Sequence, residues 1–135
     1  MKELVLFYSY SGSTKKIAEK FAQENNFDIY EVTAVKKPNK LRDYTVGIIK
    51  AIKGGVFAVN PIGVKFGDYG VINIFAPVWA GTFAPAMNAA LKLIPQGRQV
   101  KLFMVSQSGK SEKDITDKRV RNLGLDVIDY KDIKS

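Results

Sequence analysis

At 135 residues, with 46% hydrophobic and 25% charged side chains, the chain suffices for one self-supporting domain and is short for two. It contains neither cysteine nor histidine, which removes disulfides, thiolate nucleophiles, Ser-His-Asp and Cys-His catalysis and the usual zinc and non-haem iron ligand sets; chemistry here is expected to use the reactive atoms of a bound cofactor, with no catalytic side chain and no metal of its own. The net charge of +8 suits an anionic cofactor, an acidic protein or nucleic acid, although the lysines are spread along the chain.

The first apolar run, Leu4 to Tyr8, is too short for a signal-peptide core or a membrane span and reads as a strand buried on both faces. After a Ser/Gly/Thr cluster comes an amphipathic helix with Ile17, Ala18, Phe21 and Ala22 on one side. A second strand is expected over Asp28 to Thr33, then a loop through Lys36 to Lys40 in which Pro38 discourages helix. A helix near Asp43 to Ile52 is expected to bury Ile48, Ile49 and Ile52 and to stop at Gly54-Gly55. Residues 56–69 carry no clear period.

The third strand is expected over Val71 to Ala76, followed by a loop from Pro77 to Phe83. Pro85 then opens a helix with Met87, Ala90, Leu91 and Ile94 at helical spacing, ended by Pro95-Gln96-Gly97. The fourth strand reads as Val100 to Val105, with a polar loop from Ser106 to Lys110. Ser111-Glu112-Lys113-Asp114 has the form of a capping box for a helix whose apolar contacts are Ile115 and Leu123. A fifth strand spans Asp126 to Tyr130. Alternating strands and helices of this kind give an α/β fold, a doubly wound five-stranded parallel sheet of order 2-1-3-4-5. Ligands of such sheets sit beyond the strand carboxyl ends, where the winding reverses.

Three polar loops lie at those ends. The first is Ser9-Tyr10-Ser11-Gly12-Ser13-Thr14. It offers small hydroxyls, backbone N–H groups and the positive end of a helix to one point, an arrangement suited to a terminal phosphate. Neither the dinucleotide fingerprint nor the P-loop pattern is present. The second loop, Pro77-Val78-Trp79-Ala80-Gly81-Thr82, holds the only tryptophan, whose face could stack on a flat ring. The third is Ser106-Gln107-Ser108-Gly109.

Ser9-x-Ser11-Gly12-x-Thr14 directly after an apolar N-terminal strand resembles the FMN phosphate loop of the flavodoxin family, and Ala76 to Pro85 resembles that family's aromatic flavin-edge loop. The resemblance runs from the first strand to the fifth. It implies a flavodoxin-like fold and an FMN held by the three loops. It also implies that a peptide of the Ala80-Gly81-Thr82 stretch, chiefly Gly81, turns its carbonyl toward flavin N5, while Ser106 to Gly109 face the pyrimidine side. The function implied is electron transfer through FMN.

Two departures stand out. Electron-shuttling flavodoxins are usually acidic, so the +8 charge points to an acidic redox partner. The family's final helix has no counterpart after the fifth strand, so part of strands three to five is expected to stand exposed and to be covered by a second copy or another protein. The carrier's partner is expected to be such an acidic redox protein or an NAD(P)H-linked reductase; an FMN-dependent NAD(P)H:quinone-type reductase is the alternative function, and a flavin-free interaction module is a third reading. Nucleic acid finds no aromatic platform, a receiver-type domain lacks the aspartate at the end of strand three, and a cytoplasmic protein without membrane attachment is the expectation.

Overall fold

The structure is a computed structural model describing residues 1–135. Its sheet comprises β1 (Lys2–Phe7), β2 (Asp28–Glu31), β3 (Tyr69–Trp79), β4 (Thr82–Phe83), β5 (Gln99–Ser106) and β6 (Asp126–Lys134). The order is β2-β1-β3-β5-β6, every pair on that path parallel, with β4 folded back antiparallel on the end of β3. Without that two-residue strand the order is the expected 2-1-3-4-5, the flavodoxin-like topology. The helices are α1 (Ser13–Asn25), α2 (Lys40–Arg42), α3 (Ile48–Lys53), α4 (Pro85–Leu91) and α5 (Lys113–Asn122). A wide π turn over Asp43–Gly47 joins α2 to α3 without a break.

Strands apolar on both sides are explained by two cores. On one face Leu4, Leu6, Ile72, Ile74, Leu102 and Met104 pack with Met87, Ala90 and Leu91 of α4 and Val120 of α5. On the other, Val5, Phe7, Phe75, Phe103 and Val105 pack with Ala18 and Ala22 of α1. Phe75 and Phe103 stack with centroids 4.3 Å apart and planes 1° from parallel, and Phe21 of α1 sits 5.2 Å from each.

That aromatic triad corrects one expectation. Phe103 and Val105 are only 4% and 3% exposed within a single chain, because Phe21 reaches across the gap beyond α1. Exposure on the far side is confined to β6, where Ile128 and Lys131 face solvent. Phe21→Ala should therefore uncover two stacked rings and cost about 3 kcal/mol; urea denaturation measures it, and a loss under about 1 kcal/mol would mean that Phe21 is not the cover.

Other boundaries and faces also differ. The fifth parallel strand does not stop at Tyr130 but continues to Lys134, where the polar side chains of its last turn-free residues gave no alternation to read. The helical segment after Lys40 buries Asp43, Gly47 and Ala51, not the isoleucines; Ile49 and Ile52 are exposed and Ile48 is half-buried. Trp79 and Phe57 occupy the space beneath it, and a Cβ on Gly47 would lie 2.7 Å from the Trp79 ring, so only small residues let the backbone approach. In α5 the inward residues are Thr116 and Val120, while Ile115 is exposed. Thr116 tolerates burial because its hydroxyl donates to the Glu112 carbonyl at 2.9 Å. The expected capping box is not formed: Glu112 is the N-cap without a side-chain bond, and Ser111 pairs with Tyr130 and Asp132 of β6.

Candidate functional site

The loop after β1 is shaped by Ser9. Its hydroxyl accepts from the N–H groups of Gly12 (3.1 Å) and Lys15 (3.2 Å), curling the chain so that α1 begins with Gly12 at φ 101°, a value that favours glycine. The Ser13 and Thr14 N–H groups are left without backbone partners. α1 has no acidic residue in its first turn, so nothing neutralises the positive helix end.

Those groups open onto a cavity of about 510 Å³. Ser11, Ser13 and Thr14 wall one end; Pro77, Val78 and Gly81 form a second wall, and Ser106, Gln107 and Ser108 a third. Sequence reasoning missed Val105, Lys110 and Ser135, which also line it. Lys110 follows the third loop directly and was within reach of a charge argument. Ser135 was not, since only the pairing of β6 with β5, closed by a 2.9 Å bond from its N–H to the Ser106 carbonyl, brings it there. No Asp or Glu side chain lines this cavity.

The loop after β3 is a tight hairpin. Val78 pairs with Phe83 and Trp79 with Thr82, leaving Ala80 and Gly81 at the turn with φ 51° and 87°. The Gly81 carbonyl accepts from the Glu112 N–H at 2.7 Å, which ties the hairpin to the start of α5. Thr82 is buried and donates its hydroxyl to the Ala51 carbonyl at 3.0 Å. In the third loop, the Ser106 hydroxyl accepts from Gly109 at 3.0 Å and that of Ser108 from Lys110 at 3.3 Å, so the loop fixes its own turn.

Of the residues expected at the site, Ser11, Ser13, Thr14, Pro77, Val78, Gly81, Ser106, Gln107 and Ser108 come together around this cavity. Gly12, Ala80 and Gly109 shape turns beside it, and Thr82 anchors the hairpin. Trp79 lies elsewhere: its ring meets Tyr10 edge-on at 5.3 Å and Phe57 at 6.4 Å, under the Gly47 backbone. Ser9 and Tyr10 border a second cleft of about 530 Å³, enclosed by β2, its following loop and the π turn.

Beside that cleft is a buried carboxylate. Asp43 accepts from the Tyr10 hydroxyl (2.7 Å), the Asn39 N–H (3.0 Å) and the Arg42 Nε (3.1 Å). Burial alone would raise its pKa, but these three donors outweigh that and hold it below the ordinary carboxylate value. Burial and the bond to Asp43 push the Tyr10 phenol up to about 12. The stabilisation from Asp43 is complete above the unfolded carboxyl value and is lost as pH falls through the lower native one. That from Tyr10 is complete below the unfolded phenol value and is lost as pH rises toward about 12. Stability measured against pH should fall on both sides, and Asp43→Asn should flatten the acid limb; an unchanged acid limb would remove Asp43 from the account.

The parallel sheet order and the helices around it define a flavodoxin-like fold. The chain is similar to a flavoprotein from Lactobacillus acidophilus NCFM solved in complex with FMN, with 25% identity over 96% of this chain and 91% of that one and a TM-score of 0.77. It is similar to the apo form of the flavoprotein from the same organism, with 26% identity, a TM-score of 0.68 and coverage of 97% and 92%. An archaeal flavodoxin shares the fold at 16% identity and a TM-score of 0.57, over 99% of this chain and 85% of that one. No family model and no curated protein matches the sequence.

Proposed function

We propose that this protein binds FMN at the cavity between the three loops and serves as an electron carrier. The observation that carries the reading is the donor set at one end of that cavity. Three hydroxyls and the two unpaired N–H groups of the α1 N-terminus converge there without an acidic side chain, which fits a phosphate dianion. The remaining walls, Pro77-Val78-Gly81 and Ser106 to Ser108, offer a partly apolar slot with backbone polar groups, and the volume lies in the range of small-molecule sites. Support also comes from the FMN in the L. acidophilus flavoprotein.

When bound, FMN would supply the one- and two-electron chemistry that this chain's side chains lack. The protein's part is to grip the phosphate through Ser11, Ser13 and Thr14 and to exclude water with Pro77 and Val78. Lys110 adds a positive charge that favours a more negative, reduced cofactor.

The test is a titration of the protein with FMN, followed by flavin absorbance and by the fluorescence of the lone tryptophan. Saturable binding with one FMN per chain, released by acid, is expected. Absence of binding would end the proposal. Steady-state oxidation of NAD(P)H by the loaded protein alone would replace the carrier with a reductase.

A further inference from the structure

The helical segment from Lys40 to Lys53 has an apolar side that nothing in the chain covers. With Asp43, Gly47 and Ala51 turned inward, Leu41 (78% exposed), Tyr44 (71%), Ile49 (54%) and Ile52 (57%) stand on its solvent side. Single exposed aliphatics are ordinary, but four on one short segment form a ridge. Charge is concentrated in the same stretch. Between Val35 and Gly55 lie six cationic side chains and one carboxylate, and that carboxylate, Asp43, is buried against Arg42. No lysine of the stretch has an ion-pair partner.

We propose that this face is a peripheral binding surface for an anionic lipid bilayer, the ridge entering the headgroup region while the lysines meet lipid phosphates. The occupant follows from the charges. Arg42 is neutralised by Asp43, and of the five unpaired lysines Lys36, Lys37 and Lys50 border the adjoining cleft. A second copy of the chain would set these five cations against five, which like-charge repulsion disfavours. Protein interfaces draw their buried centres from Trp, Tyr and Arg and are depleted in lysine. This face is instead leucine, isoleucine and lysine with one tyrosine, the composition of helices that lie in a membrane surface. Tyr44 has the amphipathic ring that settles at the headgroup level. No helix of the chain is long and apolar enough to cross a membrane, so attachment would be lateral.

The inference does not rest on the FMN reading, although the two are connected in space. The inner side of the same segment rests on Trp79, whose hairpin walls the phosphate-binding cavity. Docking would hold that cavity at the bilayer surface.

The test is co-sedimentation of the full chain with phosphatidylcholine vesicles containing about 30% phosphatidylglycerol, against vesicles of phosphatidylcholine alone. Binding to the anionic vesicles at least about tenfold tighter than to the neutral ones, and weakened by salt, is expected. Ile49→Ser with Ile52→Ser, and separately Lys40→Gln with Lys53→Gln, should each weaken it about tenfold while leaving the circular dichroism spectrum and FMN titration unchanged. In Tyr44→Trp, a blue shift of emission on adding anionic vesicles would report entry of the ridge. No sedimentation with anionic vesicles, or sedimentation indifferent to both pairs of substitutions, would overturn the proposal. So would a dimer in solution that Ile49→Ser with Ile52→Ser dissociates, which would give the ridge to a second copy. Ridge-dependent binding of polyglutamate in place of vesicles would give the face to an acidic protein. Each of these failures leaves FMN binding untouched, so the two readings fall separately.

Discussion

Ser13→Asp should bind FMN at least about 100-fold more weakly than the parent protein while being no less stable to urea. The two effects have opposite signs because one carboxylate meets two different partners. Ser13 is the first residue of α1, and a negative charge there interacts favourably with the helix dipole, by about 0.3–1 kcal/mol. The same charge would face the phosphate dianion proposed for the cavity it lines. Each pair of like charges a few ångströms apart at an effective dielectric near 20 costs about 3 kcal/mol, and the phosphate carries close to two charges. Ser13→Ala is the companion variant; it removes a hydroxyl but leaves the N–H groups, and about a tenfold loss is expected. A Ser13→Asp protein that binds FMN normally would move the phosphate away from α1.

Gly47→Ala is expected to destabilise the protein by about 2–3 kcal/mol. A Cβ at position 47 would lie 2.7 Å from Cζ3 of Trp79, inside any real contact, and the ring is held from other sides by Tyr10 and Phe57. Either the helix lifts or the indole is expelled. Both readouts are available because Trp79 is the only tryptophan: urea denaturation reports the stability, and a red shift in emission reports the ring meeting water. An unchanged spectrum with unchanged stability would show that Trp79 does not lie beneath this helix. The result also bears on the flavin. If the indole moves onto the FMN ring when the cofactor binds, Gly47→Ala should be far less destabilising in the loaded protein than in the free one.

Much of the fold was legible because its signals are local. Leu4 to Tyr8 and Leu102 to Val105 are continuous apolar runs, which only a strand covered on both faces requires, and α1 shows its stripe over a full helix length. The turn after β1 was legible for the same reason, since Ser9, Gly12 and the start of α1 fall within seven consecutive residues. The faces of the shorter helices were not. An isoleucine-rich segment is ordinarily read as burying its isoleucines, yet here a glycine and an alanine point inward because a tryptophan more than twenty-five residues away already fills the space.

The position of Trp79 follows the same logic. Its sequence neighbourhood marked it as a ring exposed at the cofactor edge, whereas the hairpin formed by Ala80 and Gly81 aims it toward Tyr10 and Phe57. Composition and short-range order determined an α/β sheet and a hydroxyl-rich loop between its first strand and first helix. Which side of each short helix faces inward, which residues complete the cavity and where the apolar ridge of Leu41, Tyr44, Ile49 and Ile52 emerges were decided only when distant segments packed. A side chain's periodicity records what its own element could bury, and the volume left by the other elements selects which part of that is used.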